Sequence, residues 1–180
     1  MADMAVELVP YDPSWPVRFA EQRDRVSAVL ADRLAAPVEH IGSTSVPGLW
    51  AKPVVDLLAP VDSLGSPAAR EAMVQALSAD GWLYWPDDPH RRTRLWLLRP
   101  RPEARTHHLQ VVEHGGPRAR ALLAFRDALR RDPELAEAYR LLKSQLAAEY
   151  PRDREAYTRG KAAFVAGVLA TAGTTGAGAE

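Results

Sequence analysis

The stretch from His40 to Leu58 constrains the fold most strongly, because two apolar segments flank a turn rich in glycine and hydroxyl groups. Such a turn exposes backbone N–H groups to anions, since glycine allows close approach and hydroxyls add donors. The second segment carries one acid, Asp56, which is costly to bury unless it meets a metal, a cation or a donor. We therefore predict strand, turn and strand, with an anion-binding turn beside a carboxylate. The turn consists of Gly42, Ser43, Thr44 and Ser45.

The composition is that of a globular chain. Its 180 residues fit one domain with a sizeable core, and 47% are hydrophobic. The formal net charge is zero, which argues against nucleic-acid binding through bulk electrostatics. The chain has no cysteine, and this excludes disulfides, zinc–thiolate sites and cysteine nucleophiles.

Two absences predict the location of the protein. The first residues lack the basic segment and apolar run of a signal peptide. No apolar stretch approaches the roughly 20 residues that span a bilayer. We expect a cytoplasmic protein with neither a membrane nor a nucleic-acid partner, and the high arginine and alanine content is typical of a GC-rich bacterial genome.

Apolar periodicity predicts an α+β fold, with strands dominating the middle of the chain and helices its two ends. We expect a single domain over residues 1–170, followed by a disordered tail at 171–180 that has no core-forming side chains. The predicted strands span residues 6–9, 38–41, 54–61, 82–85, 93–98 and 106–113. The predicted helices span residues 14–36, 67–79, 117–131, 133–150 and 153–170.

The first candidate site is the Gly-Ser turn with Asp56, and twelve residues separate Ser43 from Asp56. This spacing resembles the nucleotidyltransferase signature, in which a Gly-Ser turn precedes a strand bearing two alternating acids. There the turn holds nucleotide phosphate, and the acids hold divalent metal for in-line transfer. The alternative is a helix start capped by Ser43 or Thr44, with Asp56 as a buried ion-pair partner.

The second candidate is the predicted strand that follows Arg105. Strand alternation puts His108 and Gln110 on one face and His107 and Leu109 on the other. His108 could be a metal ligand, a phosphate donor or a general base, and its neighbours Arg105 and Gln110 favour an anion site. The alternative is a structural histidine that is hydrogen-bonded within the strand.

The third candidate lies near the start of the last predicted helix. Tyr157 and Lys161 are four residues apart and therefore share a helix face. Lys161 could reach a phosphate, and Tyr157 could hydrogen-bond or stack on a base. The alternative is a solvated helix start, capped by Asp153, with the Tyr157 ring packed on the core.

Tryptophans add a weaker signal. They could line a pocket for a planar or apolar ligand, whereas the alternative, favoured for at least two of them, is packing in the core and at its edges. The tryptophans concerned are Trp50, Trp82, Trp85 and Trp96.

Taken together and in this order, these motifs resemble the GrpB family, also called UPF0157, whose fold belongs to the nucleotidyltransferase superfamily. The resemblance extends from Val6 to about Leu169. It implies a nucleotidyltransferase-like mixed sheet flanked by helices, with a helical C-terminal third. A related domain occurs fused to dephospho-CoA kinase in some bacteria. The motifs are VPYDPSW at 9–15, HIGSTSVPGL at 40–49 with Lys52-Pro53, THHL at 106–109, FRD at 125–127, and DREAYT at 153–158 with Lys161.

Two departures from that pattern weaken a metal site. The second acid of the superfamily would stand at Leu58, and Gln110 stands where the family usually has a histidine. Mg²⁺ would then have Asp56 and one imidazole, a poor donor set unless a carboxylate such as Glu39 or Glu113 compensates. What survives is an anion-binding pocket. It would contain the turn residues 42–45 with Lys52, Arg105, His108, Gln110, Tyr157 and Lys161.

The resemblance therefore implies a nucleotidyltransferase-like protein that binds a nucleotide or another phosphate- or carboxylate-bearing small metabolite and transfers a nucleotidyl or phosphoryl group. In this interpretation Lys52 and Arg105 neutralise charge on the transferring group, and His108 positions the acceptor. Asp56 would hold a metal or act as base. One alternative is a non-catalytic nucleotide- or CoA-type binding module. The other is a metal-independent enzyme with Asp56 and His108 as acid and base.

Overall fold

The computed structural model describes residues 6–175, which form a five-stranded sheet and six α-helices. The strands are β1 (Glu39–Ile41), β2 (Val55–Val61), β3 (Leu83–Tyr84), β4 (Arg94–Arg99) and β5 (His107–Glu113). The helices are α1 (Trp15–Val29), α2 (Pro67–Ala79), α3 (Pro117–Arg131), α4 (Pro133–Glu149), α5 (Arg154–Gly160) and α6 (Ala162–Thr175).

The sheet is mixed, and its strand order is β1-β2-β5-β4-β3. Only β2 and β5 are parallel, and the other neighbours are antiparallel. The predicted α+β class with a mixed sheet and a helical C-terminal third is confirmed. The register pairs Asp56 of β2 with His108 of β5, so the two predicted site residues lie side by side.

The two faces of the sheet have different surroundings. The face that carries Leu57 and Leu109 forms the main core with side chains of α1 and α2. The opposite face carries Asp56 and His108, each the second residue of its strand. Further along that face Leu58 packs against residues of β1, β5 and α3. The core therefore closes one face completely, and α3 covers only the far end of the other.

The C-terminal helices pack on the segment that follows the Gly-Ser turn. Val46 and Leu49 of that segment form a cluster with Leu129 of α3, Tyr139 of α4 and Phe164 of α6. A second cluster joins Val6, Leu146 and Tyr157. These contacts hold α4 and α5 over the open end of the sheet face.

Several boundaries differ from the prediction. Residues 6–9 form only a single bridge, Val9 to Ala51, rather than a strand, because Pro10 ends the pairing. Helix α1 ends at Val29 and is followed by a short 3₁₀ turn. The last predicted helix is two helices that break at Lys161, and a Cβ at Gly160 would collide with Leu146.

The predicted tail is also partly corrected. Helix α6 continues to Thr175, and the alanines in its sequence favour helix. Residues 171–175 are therefore helical, and the rest of the predicted tail, 176–180, lies outside the described residues. None of the helices in the described part of the chain is long and apolar enough to cross a membrane.

Candidate anion-binding site

The Gly-Ser turn packs directly against Asp56. It is a 3₁₀ turn, Ser43–Ser45, that the chain enters through Gly42 with φ +71°. This left-handed conformation favours glycine. A Cβ at Gly42 would also collide with Oδ2 of Asp56. Glycine is thus required here both by the turn and by the approach of the carboxylate.

Two of the turn's hydroxyl groups are used to hold its shape. The Thr44 hydroxyl is 3.0 Å from Nε2 of His40, and the Ser45 hydroxyl donates to the carbonyl of Gly42 at 2.6 Å. His40 is stacked on Phe19, and burial lowers its pKa to about 4, so it is neutral at pH 7. Of the predicted turn residues, Gly42, Ser43 and Thr44 line a cavity and Ser45 does not.

Asp56 and His108 form a hydrogen-bonded pair across β2 and β5. Nδ1 of His108 is 3.0 Å from Oδ1 of Asp56, and both side chains are partly buried. An ionised carboxylate only accepts, so Nδ1 carries the hydrogen and the neutral ring keeps its lone pair on Nε2. That Nε2 is buried and has no hydrogen-bond partner within residues 6–175. Within the described residues, Asp56 therefore fixes the orientation of the His108 ring and leaves one ring nitrogen without a partner.

A cavity of about 250 Å³ lies beside this pair, and we call it the lysine cavity. Of the 23 lysine and arginine residues of the chain, only three are lysine, and all three line this cavity. Lys52 comes from the loop before β2, Lys143 from α4, and Lys161 from the break between α5 and α6. The other lining residues are Gly42, Ser43, Thr44, Ala51, Val54, Asp56, His108, Tyr139, Arg154 and Tyr157.

Aromatic rings hold the lysine ammonium groups. Nζ of Lys52 and Nζ of Lys161 lie 4.5 Å and 4.4 Å from the ring centroid of Tyr157. Nζ of Lys143 lies 4.9 Å from the ring of Tyr139. Cation–π contacts of this kind offset part of the cost of burying a cation. Tyr157 and Lys161 therefore both line the cavity, and the Tyr157 ring is also packed in a hydrophobic cluster with Leu146, as the alternative interpretation predicted.

The lysine cavity carries an excess of positive charge. Burial, reinforced by Lys161 and Arg154, lowers the pKa of Lys52 to about 8. Burial together with Lys161, Lys52 and Arg140 lowers the pKa of Lys143 to about 7. Burial also lowers the pKa of Lys161, although Asp56 opposes the shift. Repulsion between neighbouring cations disfavours the charged state, so an added anion would relieve it.

Sequence reasoning missed Lys143. It is 2% exposed and donates to the Ser43 hydroxyl at 3.1 Å and to the carbonyl of Trp50. Tyr139, Lys143 and Leu146 recur at helical spacing, so a lysine in the apolar stripe of α4 was a readable signal. The scarcity of lysine in an arginine-rich chain was a second signal.

Arg105 lies outside the lysine cavity, in a neighbouring cavity of about 830 Å³ that we call the tryptophan cleft. Its guanidinium is 5.8 Å from the ring of Trp85 and 5.7 Å from that of Trp96, and its Nε donates to the Pro102 carbonyl at 2.9 Å. The cleft is lined by Lys52, Trp85, Asp88, Pro89, His90, Arg94, Trp96, Pro102, Glu103, Arg105, His108, Arg154, Glu155, Thr158 and Arg159.

Gln110 is not brought to either cavity. Its side-chain oxygen accepts from Arg94 at 2.8 Å and from Nε and Nη2 of Arg118 at 2.9 and 2.8 Å. The residue is 9% exposed. It therefore ties β4 and α3 to β5 instead of pointing at a ligand.

The donor set does not fit a magnesium ion held by the protein alone. Leu58 is fully buried, Glu39 pairs with Arg126 at 2.7 Å, and Glu113 accepts from the Leu64 N–H at 2.8 Å at the far end of β5. No group of three or more histidine, aspartate or glutamate side chains in the described ranges could hold a metal. One carboxylate and one imidazole beside three lysines are a poor site for a hard cation.

The fold is shared with known nucleotidyltransferase-fold proteins. The Cid1 poly(U) polymerase structure matches with a TM-score of 0.54 and 14% identity over 85% of this chain and 49% of that one. The structure of the GLD-2/RNP-8 complex matches with a TM-score of 0.56 and 11% identity over 84% and 58% of the two chains. At these identities the likeness concerns the fold alone.

The chain belongs to the GrpB family, whose model, described as GrpB protein, matches residues 5–171. A UPF0157 protein of Pseudomonas aeruginosa is 39% identical over 94% of this chain and 69% of its own length. The crystal structure of GrpB from Enterococcus faecalis superposes with a TM-score of 0.81 at 31% identity, covering 92% of this chain and 96% of that one. The family predicted from the motifs is confirmed.

A more distant match is a dephospho-CoA kinase of Mycolicibacterium paratuberculosis. It is 29% identical over 87% of this chain, which corresponds to 43% of the kinase. The match therefore concerns a part of that longer protein.

Proposed function

We propose that the lysine cavity binds the phosphate groups of a nucleotide or a related phosphate-bearing metabolite. The observation that carries this proposal is the convergence of all three lysines of the chain on the Gly-Ser turn, with Asp56 as the one carboxylate that lines the cavity. Buried cations need partners, and one carboxylate cannot serve three ammonium groups. A ligand with several negative charges would supply the missing partners.

The chemistry of the three lysines is compatible with a phosphate ligand. An ammonium on a flexible stem binds phosphate as a compact point charge, and Arg154, which also lines the cavity, adds a guanidinium. The Ser43 hydroxyl already contacts Lys143 at 3.1 Å and would donate to the same phosphate oxygens. Among the structural neighbours, Cid1 was solved with Mg and 3′-dATP bound. This supports the proposal by analogy of fold.

The Asp56–His108 pair supports a catalytic role for the same cavity. Asp56 orients the imidazole, and Nε2 of His108 would accept the proton of an acceptor hydroxyl whose oxygen attacks phosphorus. The bond from phosphorus to the leaving oxygen breaks, and a lysine ammonium protonates that oxygen. The lysines also neutralise charge on the transferring group, which is the main need in phosphoryl transfer. This metal-independent transfer is the activity that the geometry favours.

Titration calorimetry with inorganic tripolyphosphate, with and without Mg²⁺, tests the binding proposal. We expect binding without Mg²⁺, weakened at least about tenfold by Lys143→Met, which removes a charged hydrogen bond of about 1.5–3 kcal/mol. Methionine keeps the apolar stem and removes a buried charge, so the variant is expected to fold. Arg140→Met is the matched control, since Arg140 lies on α4 and pairs with Glu137 at the surface.

The result that overturns the binding proposal is no tripolyphosphate binding by the unaltered protein, or equal binding by Lys143→Met. Turnover of a nucleoside triphosphate in excess chelator, lost in His108→Gln, would support metal-independent transfer. Binding without turnover would instead identify a non-catalytic module. The proposed ligand is a small metabolite, and the proposal therefore includes no nucleic-acid partner. It also keeps the predicted cytoplasmic location.

A further inference from the structure

We propose that the tryptophan cleft binds a planar ring of the same ligand whose phosphates occupy the lysine cavity. The inference rests on the proposed function. It specifies that the ligand is nucleotide-like and not an inorganic phosphate or a sugar phosphate. The two cavities are adjacent, because Lys52, His108 and Arg154 line both of them. In this proposal a single molecule spans both, with its connecting part beside His108.

The walls of the cleft suit a flat aromatic group. The indole rings of Trp85 and Trp96 lie with their centroids 6.3 Å apart at an interplanar angle of 69°, so they form two sides of a corner. The guanidinium of Arg105 lies near both rings. Arginine stacks on aromatic faces because its charged group is planar and delocalised, and the same surfaces stack nucleobases.

The cleft is held in this shape before any ligand arrives. Asp88 is 1% exposed and accepts two hydrogen bonds from Arg94, each 2.7 Å long. This ion pair ties the loop after Trp85 to β4, the strand that carries Trp96. The edge of Trp96 also contacts the His108 ring at a centroid distance of 5.3 Å. A site whose side chains are already ordered loses less entropy on binding.

The dimensions of the cleft agree with this ligand class. The tryptophan cleft has a volume of about 830 Å³, and small-molecule sites generally have volumes between about 300 and 1,000 Å³. The cleft is therefore large enough for the part of the ligand that the lysine cavity does not hold. Its walls include two tryptophans with Pro89 and Pro102, which offer apolar surface. An inorganic phosphate chain would leave this surface exposed to water, whereas a nucleobase would cover it.

Calorimetry with ligands that share one phosphate chain separates the ring from the phosphates. We expect at least one of ATP, GTP, CTP and UTP to bind about tenfold more tightly than tripolyphosphate, since a base that stacks on an aromatic side chain adds to the phosphate contacts. Trp85→Leu should lower the affinity for that nucleotide to the affinity for tripolyphosphate. The affinity for tripolyphosphate itself should not change. Trp50→Leu is the control, because Trp50 is 39% exposed and lines neither cavity.

Quenching of tryptophan fluorescence in the unaltered protein gives a readout that does not depend on how a variant folds. The nucleotide should quench the emission, and tripolyphosphate should not. If all four nucleotides bind no better than tripolyphosphate, the ring subsite is overturned while the lysine cavity stands. Nucleotide binding that Trp85→Leu weakens and Lys143→Met does not would support the cleft and contradict the lysine cavity.

Discussion

His107 and His108 are neighbours in β5, but their side chains lie on opposite faces of the sheet and have different surroundings. His107 lies on the core face, and burial together with nearby arginines lowers its pKa to about 4. His108 lies on the other face and is hydrogen-bonded to Asp56. The core face therefore keeps its histidine neutral and structural, whereas the open face gives its histidine a carboxylate partner and a cavity.

The same contrast applies to charge. On the core face the hydrophobic residues of β2, β5 and β4 are nearly all excluded from water. On the open face three lysines lie beside one carboxylate, with Lys143 buried and the other two half-buried, an arrangement that costs stability unless a ligand relieves it. Residues that lower the stability of the ligand-free protein in this way are expected at ligand-binding sites. The predictions below test this difference between the faces.

Gly42→Ala should have the largest effect on ligand binding and stability, because Gly42 lies where the Gly-Ser turn contacts Asp56 on the open face. The new Cβ would collide with Asp56 and also strain the φ of +71°. We expect tripolyphosphate binding to be lost and the free energy of unfolding to fall by about 3 kcal/mol, as measured by urea denaturation. Gly48→Ala is the matched control, since Gly48 has φ +78° but nothing within 4 Å of the added Cβ. Equal losses in the two variants would show that the collision with Asp56 is unimportant.

Lys143→Met should separate binding from stability. The folded pKa of Lys143, about 7, lies below its ordinary value of 10.5, so the unfolded chain binds more protons between these values. Stability of the unaltered protein relative to the variant should therefore rise with pH, by about 2 kcal/mol between pH 7 and about pH 8.5. Tripolyphosphate affinity should fall over the same range.

The groups facing Lys143 within the lysine cavity include Lys52, Lys161, Arg154, Asp56, Tyr139 and Tyr157. Burial also lowers the pKa values of Lys52 and Lys161, so the contribution of Lys143 is followed as the difference between the unaltered protein and Lys143→Met. A stability difference that stays constant with pH would contradict a buried, titrating Lys143.

The core face should show a pH dependence of the same sign, but in a more acidic range. His40 and His107 have folded pKa values of about 4, below the ordinary 6.5. The unfolded chain therefore takes up protons first, and stability should fall as pH drops from 6.5 towards 4, by about 2 kcal/mol for each histidine. His107→Gln should reduce this acid sensitivity, as followed by denaturation at a series of pH values. An unchanged slope would mean that His107 does not stay neutral.

Gln110→Met should have the smallest effect on ligand binding. It removes the oxygen that accepts from Arg94 and Arg118. We expect a loss of about 1–3 kcal/mol in the free energy of unfolding, with tripolyphosphate affinity unchanged. A large loss of affinity together with unaltered stability would instead restore Gln110 to the binding site that the sequence predicted.

Local patterns predicted much of the fold. Alternation placed Asp56 and His108 on strands, and the glycine and hydroxyl pattern placed the turn correctly between β1 and β2. Local patterns could not show that β2 and β5 are parallel neighbours in a register that joins the two side chains. Such pairing depends on contacts between distant segments, which periodicity does not report.

The candidate site was predicted in part for the same reason. Lys52, Tyr157 and Lys161 do line the lysine cavity, but Lys143 enters it only because α4 packs over the turn through Tyr139. Arg105 and Gln110 were grouped with the site from their position along the strand. The structure places Arg105 in the tryptophan cleft and uses Gln110 to hold two arginines.

The most direct test of the lysine cavity uses the fact that the chain has only three lysines. Protein labelled with ¹³C at lysine Cε should give three NMR signals, and every one reports on the cavity. We predict that a pH titration gives Lys143 a pKa of about 7 and that tripolyphosphate shifts all three signals and raises that pKa. Three signals that stay in place as tripolyphosphate is added would contradict the account.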